Sequence, residues 1–315
     1  MNKKIKVHLL VNEVAGNGNA VEADHSLQKV LNNLNIPFSH KKSNYPGELI
    51  KLAEDYANKN PNPNDILIVV GGDGSFNEVL NGIKRSNFPE TPITYLPAGT
   101  GNDFARGAGL TNDPLQLVNN LLQDPEPERV DCGFFTSNIA KMPHGYFVNN
   151  FGIGFDAFVV HESNNEKLKK KLNHVNFGNL IYGLNIIKAL AKQNTFTVTI
   201  KTANETVRYG DAYFLTTTNH PYFGGGIAIL PKADIYSHHL DTVIVEKPNL
   251  FKFIHLFGKL LKDGSHVNAP QFHYIEAKEI QVTTQKPEFA QIDGEDYDAQ
   301  DFKLTFKIDH FNLLK

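Results

Sequence analysis

Short apolar segments alternate with helical patterns from residue 5 to about residue 110. The segments Ile5–Val11, Ile66–Val70 and Ile93–Leu96 have the length and composition of buried strands, whereas Glu48–Asn58 repeats apolar residues at helical spacing. Strands and helices that alternate in this way build βαβ units around a parallel sheet with helices on both faces. The N-terminal part of the chain is therefore predicted to be an α/β domain with a doubly wound, mostly parallel sheet.

The pattern changes in the second half, where strand-like segments follow one another with few helices between them. Tyr146–Asn150, Phe196–Lys201 and Thr206–Thr218 are examples, and many of these segments alternate apolar and polar residues. Such runs are typical of antiparallel sheets with one face in the core. The sequence therefore predicts a C-terminal domain that is β-rich and mostly antiparallel.

A proline-rich connector, Asp124–Glu128 (DPEPE), precedes this change and marks a candidate domain boundary. We predict a first domain over residues 1–131 and a β-rich second domain over residues 132–301. The final strand, at about residues 302–315, is expected to pack back on the first domain.

The composition excludes several classes of protein. The chain of 315 residues carries 31 basic and 34 acidic residues, and its net charge of −3 gives no overall attraction to nucleic acid. Its single cysteine, Cys132, can form neither an internal disulfide nor a Cys-x-x-Cys motif, which fits the reducing cytoplasm. No segment approaches the roughly 20 apolar residues that cross a bilayer. We therefore expect a cytoplasmic protein without a nucleic-acid partner, for which any membrane contact is peripheral.

A glycine-rich turn follows the buried strand that ends at Val70. The segment Val69–Gly82 (VVGGDGSFNEVLNG) places three glycines around Asp73, and Ser75 and Glu78 have the spacing of a capping box that begins a helix. Glycines permit close backbone approach, and the free N–H groups of a helix N-terminus bind anions, so we predict a phosphate site. A carboxylate in this turn repels phosphate unless Mg²⁺ or a substrate hydroxyl contacts it. The alternative is a structural turn in which Asp73 is only solvated.

A second glycine turn lies in Tyr95–Leu110 (YLPAGTGNDFARGAGL), where Thr100 stands between two glycines and is followed by Asn102 and Asp103. Two turns that leave the same edge of a parallel sheet face each other across a crevice, where such sheets bind ligands. The pair predicts a nucleotide clamp; the alternative is that Asn102 and Asp103 only cap a short helix. A third turn, Gly16–Gly18, does not complete the Rossmann fingerprint, and the chain contains no Walker P-loop.

An acidic segment near the C-terminus, FAQIDGEDYDAQDF, contains Asp293, Glu295, Asp296 and Asp298. Its Asp-Gly pair predicts a tight hairpin. A carboxylate held by such a turn can serve as the general base that phosphoryl transfer to an alcohol requires. The simpler alternative is that the acidic residues only keep the turn solvated.

Taken together and in this order, several segments carry a family resemblance. They are GGDGSFNEVLNG at 71–82, LPAGTGNDFAR at 96–106, YFVNNFGIGFDA at 146–157, the segment 219–226 with its three glycines, LPKA at 230–233 and IDGE at 292–295. This set resembles the diacylglycerol kinase catalytic domain of the bacterial lipid kinases, which are related to sphingosine kinases and more distantly to NAD kinases. The resemblance implies an NAD-kinase-like fold and transfer of the γ-phosphoryl group of ATP, with Mg²⁺, to a lipid hydroxyl. Diacylglycerol is the expected acceptor, and phosphatidic acid the expected product.

The resemblance also implies roles for the matching residues. Glu295 would accept the proton of the lipid hydroxyl, and Asp73 would organise Mg²⁺ on ATP. Asp73 is also a rival base, because sphingosine kinases are thought to use the aspartate of the glycine turn in that role. Ser43 takes the place of a family threonine near the nucleotide. The residues expected to contact the nucleotide are Ser43, Gly71, Gly72, Asp73, Gly74, Ser75, Phe76, Asn77, Thr100, Gly101, Asn102 and Asp103.

The most serious departure from the family pattern lies in the segment after Pro-x-Ala. After Pro-x-Ala the family carries an Asp-Gly pair that helps to hold a structural metal, whereas this chain reads PKADIYSHHLD over Pro231–Asp241. Ser237 stands where the metal-binding aspartate would be. A structural Mg²⁺ would therefore depend on Asp234, Ser237 and His239, the first and last through their backbone carbonyls.

A lipid substrate implies a partner surface, namely the inner face of the membrane. The basic run Lys167–Lys171 (KLKKK) and the amphipathic stretch Asn176–Ala191 are candidates for peripheral contact with it. The alternatives are a solvated helix face for the first segment and burial in the core for the second.

Two other functions stay open at the level of the sequence. An NAD kinase would share the aspartate of the glycine turn but has no evident use for the NDFAR and IDGE segments. A binding protein could keep affinity for nucleotide or lipid without catalysing transfer. The sequence also leaves open which lipid accepts the phosphoryl group and whether the chain forms a homodimer.

Overall fold

The computed structural model describes residues 5–123, 125–140, 142–164 and 193–315. The candidate membrane segments Lys167–Lys171 and Asn176–Ala191 lie outside the described residues. Within the described part, no helix has both the length and the apolar character needed to cross a membrane.

Strands and helices alternate through the first domain, as the sequence predicts. In chain order the elements are β1 (Lys6–Val11), α1 (Asn19–Asn33), β2 (Phe38–Lys42), α2 (Glu48–Ala57), β3 (Asp65–Gly71), α3 (Asp73–Arg85), β4 (Ile93–Pro97), α4 (Asp103–Ala108) and α5 (Pro114–Leu122).

Strands predominate in the rest of the described chain. The elements there are β5 (Glu128–Ser137), β6 (His144–Phe147), β7 (Asn150–Gly154), α6 (Phe155–Asn164), β8 (Phe196–Lys201), β9 (Thr206–Thr218), β10 (Tyr222–Phe223), β11 (Ile227–Ala228), β12 (Leu240–Glu246), α7 (Leu250–Lys262), β13 (Phe272–Ala277), β14 (Glu279–Thr284), β15 (Glu288–Ile292), β16 (Glu295–Gln300) and β17 (Lys303–Leu313).

The first four strands form a parallel sheet in the order β2-β1-β3-β4. Helices α2 and α3 pack on one face, and α1 and α5 pack on the other. The strands are buried between these layers, which explains why β3 is an uninterrupted apolar run. The predicted doubly wound α/β architecture is thus confirmed. It brings the carboxyl ends of β1, β3 and β4 to one edge of the sheet.

The remaining strands pair antiparallel, which confirms the second half of the fold prediction. The order β16-β15-β7-β9-β8-β14-β17 continues directly into β4, so both parts share one hydrogen-bonded sheet. The junction is made by β17, which pairs in parallel with β4 at Leu313 and Ile93 and antiparallel with β5 along ten residue pairs. The predicted boundary near residue 131 falls inside β5, where the sheet runs on without interruption.

Candidate active site

Three turns meet at the carboxyl edge of the parallel sheet. A methyl group on Gly99 would lie 2.5 Å from the Cα of Gly72, and one on Gly16 would lie 2.1 Å from the carbonyl oxygen of Ala98. Gly16 also has a positive φ of 64°. Only glycine permits such close approach, so these residues let the turns after β1, β3 and β4 pack against one another. The crevice that the two main glycine turns predict is present.

The predicted capping box is wrong. Helix α3 begins at Asp73 rather than at Ser75, and no side chain caps it. Because the helix starts two residues earlier, Ser75 lies inside the first turn, where its buried Oγ accepts a hydrogen bond from Nδ2 of Asn12 at 3.0 Å. The carboxylate of Glu78 binds the start of α2 instead, accepting from the N–H of Gly47 at 3.0 Å.

Asp73 joins the two glycine turns. Its carboxylate accepts hydrogen bonds from the N–H groups of Asp103 at 2.9 Å and Phe104 at 3.3 Å, at the beginning of α4. Burial raises the pKa of Asp73 to about 6, although these two backbone donors oppose the shift. Asp73 is therefore a partly buried group with defined partners, which excludes the alternative of a turn residue that is only solvated.

The second turn is held by the side chains that follow it. Asn102 has a positive φ of 53°, and its Oδ1 accepts from the N–H of Gly99 at 2.9 Å. The buried carboxylate of Asp103 accepts from Arg106 at 2.8 Å and from the N–H of Gly225 at 2.8 Å. Asn102 therefore shapes the turn, and Asp103 ties it to the glycine-rich loop after β10. Thr100 is left exposed at the tip.

The acidic segment forms the hairpin that its Asp-Gly pair predicts. Strands β15 and β16 pair antiparallel up to Ile292 and Glu295, and the two residues between them, Asp293 and Gly294, have positive φ values of 48° and 90°. This is the backbone signature of a two-residue type I′ turn. Glu295, the residue directly after the turn, lies at the crevice. Its Oε1 atom is 3.8 Å from the position that a methyl group on Gly74 would occupy. In the described part of the chain the exposed carboxylate of Glu295 has no hydrogen-bond partner.

Asp293 was predicted only as part of the acidic turn, and its role in fixing the hairpin was not foreseen from the sequence. Its carboxylate accepts a hydrogen bond from Nδ2 of Asn77 on α3 at 2.7 Å, and it accepts further hydrogen bonds from backbone N–H groups where β6 leads into β7. Burial raises its pKa to about 7, against the opposing effect of the backbone donors. These bonds fix the hairpin, and hence Glu295, against the first domain. The backbone donors, each at 2.9 Å, are the N–H groups of Val148, Asn149 and Asn150.

The other residues that were expected to contact the nucleotide lie partly at the crevice and partly in the core. Gly71 is the last residue of β3, and Gly74 follows Asp73 at the start of α3. Gly101 lies in the second glycine turn, where a methyl group on it would be 3.5 Å from Oδ2 of Asp73. Ser43 follows β2, where its hydroxyl donates to the carbonyl of Val11 at 3.4 Å. Phe76 is fully buried in the core, where it stacks on Tyr95 and Phe104.

A cavity of about 650 Å³ opens from this polar crevice into the second domain. Asp73, Thr100 and Asp293 line its polar end. The rest is walled mainly by apolar side chains from α6, β9, the loop after β10, and α7. Aromatic and aliphatic residues such as Phe155, Tyr213, Phe214, Phe223, Phe253 and Phe257 form this wall. The residues that wall the cavity were not predicted from the sequence, because they come from segments that are distant along the chain.

The segment expected to hold a structural Mg²⁺ does not fit that ion. The hydroxyl of Ser237 donates to the carbonyl of His239 at 3.2 Å, and the carbonyl of Asp234 accepts from the N–H of Ser237 at 3.1 Å. These groups bond to one another, and the Asp234 carboxylate accepts a hydrogen bond from the N–H of Tyr236, whereas Mg²⁺ prefers an octahedral set of oxygen ligands. In the described residues, the clusters of metal-ligating His, Cys, Asp and Glu side chains do not include Asp234, whereas His239 clusters with Asp241 and Glu276.

The fold places glycine turns at the carboxyl edge of a parallel sheet, where an acidic hairpin from the antiparallel part of the sheet faces them. The family described as the diacylglycerol kinase catalytic domain matches residues 6–134. The family described as the YegS C-terminal NAD kinase beta sandwich-like domain matches residues 150–308. The chain belongs to the bacterial diacylglycerol kinase and lipid kinase family. Membership makes it a phosphotransferase and implies the use of ATP.

Similar proteins agree with this assignment. A protein of Staphylococcus saprophyticus named "Diacylglycerol kinase" is 32% identical over 234 residues, which cover 73% of this chain and 70% of that one. A Bacillus subtilis protein named "Putative lipid kinase YtlR" is 29% identical over 296 residues, or 94% and 95% of the two chains. The crystal structure of a "putative diacylglycerol kinase" from Bacillus anthracis matches with a TM-score of 0.75 at 22% identity. That match covers 100% of this chain and 98% of the other, and it supports the fold alone.

Proposed function

We propose that this protein transfers the γ-phosphoryl group of ATP to the hydroxyl of diacylglycerol. The observation that carries the proposal is the apolar cavity of about 650 Å³ that opens beside Asp73 and Asp293 at the glycine turns. A diacylglycerol molecule can bury an acyl chain in such a cavity while its hydroxyl remains at the polar end, because apolar walls with a few polar groups at one end suit an amphiphile.

The glycine turns suit the phosphates of ATP. The first turn leads into α3, a helix of 13 residues whose N-terminal N–H groups and dipole favour negative charge. We assign Thr100, exposed at the tip of the second turn, to contact with the nucleotide from the opposite side. Asp73, Asp103 and Asp293 line the cavity at this point, and their carboxylates are the kind of oxygen ligand that Mg²⁺ prefers. Mg²⁺, when bound, supplies charge neutralisation on the phosphates.

Of the two candidate bases, Glu295 suits proton transfer better. Its carboxylate is exposed and without a partner in the described chain, so it can approach a substrate hydroxyl. Both oxygens of Asp73, in contrast, already accept backbone N–H groups. We therefore assign the role of general base to Glu295. To Asp73 we assign two other roles, the positioning of α4 and the binding of Mg²⁺.

The cavity also separates the proposal from an NAD kinase. NAD is polar along its whole length and offers no chain that would fill the apolar part of the cavity. We expect kcat/KM to rise with acyl length, because each buried methylene contributes about 0.8 kcal/mol. Phosphorylation of diacylglycerols from dioctanoyl to dioleoyl in mixed micelles, with labelled ATP, measures this. Rates that are equal for all chain lengths, or label found only in NADP, contradict the proposal.

Peripheral membrane contact at the cytoplasmic face is supported by α7. Its inner face, including Phe253 and Phe257, walls the cavity, so a lipid could pass beneath the helix into the site. Its outer face carries Phe251, Ile254 and Leu261 at 84%, 61% and 63% exposure. The helix also contains three lysines and no acidic residue, which suits an anionic lipid surface.

Replacing both Phe251 and Ile254 with serine is expected to weaken binding to vesicles that contain anionic lipid by at least about tenfold, because each side chain contributes about 1.5–3 kcal/mol when buried. Sedimentation with vesicles measures the partition. Leu115→Ser is the matched control, since Leu115 is also an exposed apolar residue, at 50%, but lies on α5. Equal partition of the double variant and the wild type contradicts a membrane surface on α7.

A further inference from the structure

A second cluster of ligating side chains lies away from the cavity, where β5, β17 and the turn before β12 meet. Oδ1 of Asp131 is 2.8 Å from Nδ1 of His310 and 3.0 Å from Nδ1 of His238. One ligand atom of each residue lies within 4.8 Å of the others.

The three side chains are held in place by the backbone. Asp131 and His310 are directly opposite each other in the β5–β17 register, so sheet pairing fixes their approach. His238 has a positive φ of 58°, a conformation that non-glycine residues rarely adopt, and its N–H donates to Oδ2 of Asp131 at 2.6 Å. Asn219 donates to the Asp131 carbonyl at 2.5 Å, and the Asp131 N–H donates to the carbonyl of Ile235 at 2.9 Å. The geometry is therefore set before any ligand binds.

The charges and the access route suit a cation. Asp131 is completely buried, and in the described chain its ion-pair partners are the two histidines, with no lysine or arginine among them. A buried carboxylate is costly unless positive charge compensates it. The side chain of His238 is 62% exposed, so an ion can enter from solvent on that side.

The donor set selects the kind of ion. One carboxylate oxygen and two imidazole nitrogens suit zinc and similar transition metals, whereas Mg²⁺ and Ca²⁺ prefer oxygen ligands alone. Tetrahedral bonds of about 2.0–2.1 Å to zinc would place ligand atoms about 3.4 Å apart. The observed separations are 2.8 Å for His310 and 3.0 Å for His238, so both would need to widen by roughly 0.4–0.6 Å. Small rotations of the two imidazole rings, which are 21% and 62% exposed, can provide this.

We propose that Asp131, His238 and His310 bind one zinc-type transition-metal ion, with water as the fourth ligand. The ion would connect the segment before β12 to β5 and β17, the two strands at the junction of the domains. It lies apart from the residues assigned to phosphoryl transfer, so its role is structural. The proposal does not depend on the identity of the kinase substrate.

Metal binding by the untagged full-length protein, stripped with a chelator, tests the proposal. Calorimetry with Zn²⁺ is expected to give one tight site, and Co²⁺ is expected to give the visible absorption of a tetrahedral site with nitrogen ligands. Zinc at about 100 times its dissociation constant is expected to raise the unfolding midpoint by about 5 °C. Mg²⁺ at the same concentration is expected to reproduce none of these signals.

The variant His238→Gly removes one ligand without strain, because glycine accepts the positive φ. It is expected to lower zinc affinity at least a hundredfold and to abolish the cobalt absorption. The control His144→Ala, at another exposed histidine, is expected to behave as the wild type. The proposal is overturned by the absence of a stoichiometric site in the wild type, by unchanged zinc affinity in His238→Gly, or by displacement of zinc by equal Mg²⁺.

Discussion

Glu295→Gln is expected to lower the kcat for diacylglycerol phosphorylation by roughly 10²–10⁴-fold, the usual contribution of a general base. Glutamine keeps the size and the hydrogen-bonding reach of the side chain but cannot accept the proton of the lipid hydroxyl. Because the side chain is exposed and has no partner in the described structure, the substitution leaves the fold and the glycine turns unchanged. ATP binding, measured by calorimetry, should therefore stay within about twofold of the wild type.

Asp298→Asn provides the matched control for Glu295→Gln. Asp298 is an exposed acidic residue on the same strand, β16, so its replacement makes the same change in charge close by. It is expected to retain wild-type kcat. If Glu295→Gln keeps more than about a tenth of the wild-type kcat, the base is another group, and Asp73 becomes the leading candidate.

Asp73→Asn is expected to lower kcat by about 10² or more and to raise the Mg²⁺ concentration needed for half-maximal rate. The amide loses the negative charge that we assign to Mg²⁺ binding. It also offers only one acceptor oxygen to the two N–H groups at the start of α4, so one buried donor loses its partner. That loss costs about 1–3 kcal/mol of unfolding free energy. Steady-state kinetics over a Mg²⁺ series, together with thermal unfolding, measure the two effects.

Glu78→Gln separates the catalytic from the structural effect of Asp73→Asn. Glu78 is also a carboxylate that binds backbone N–H groups at the start of a helix, in this case α2. Its replacement should cost a similar free energy of unfolding while the Mg²⁺ dependence stays unchanged. If Asp73→Asn shows the same pattern as Glu78→Gln, Asp73 is a structural residue only.

The parts of the fold that depend on local pattern could be predicted from the sequence. Apolar periodicity identified the strands and helices of the first domain, and the Asp293-Gly294 pair identified the β15–β16 hairpin, because turn chemistry acts within a few residues. Tyr146–Asn150 was interpreted as one strand, but the chain turns at Val148 and Asn149 so that their N–H groups reach Asp293. That contact joins residues about 145 positions apart, which a local pattern cannot reveal.

The same limit explains what the sequence missed at the site. Ser75 and Glu78 had the spacing of a capping box, but both side chains found partners outside their own helix, on Asn12 and Gly47. The cavity and the Asp131–His238–His310 cluster are each assembled from several distant segments. The positions of Glu295 and Asp73 were nevertheless suggested by family resemblance, and the structure brings both to the same crevice.

The most direct measurement is the identity of the phosphorylated product when diacylglycerol in mixed micelles and NAD compete for labelled ATP at equal concentration. If the apolar cavity holds the acceptor and Glu295 activates its hydroxyl, the label appears in phosphatidic acid with the wild type and is lost with Glu295→Gln. Label in NADP, or a lipid product that forms equally fast in both proteins, contradicts the account.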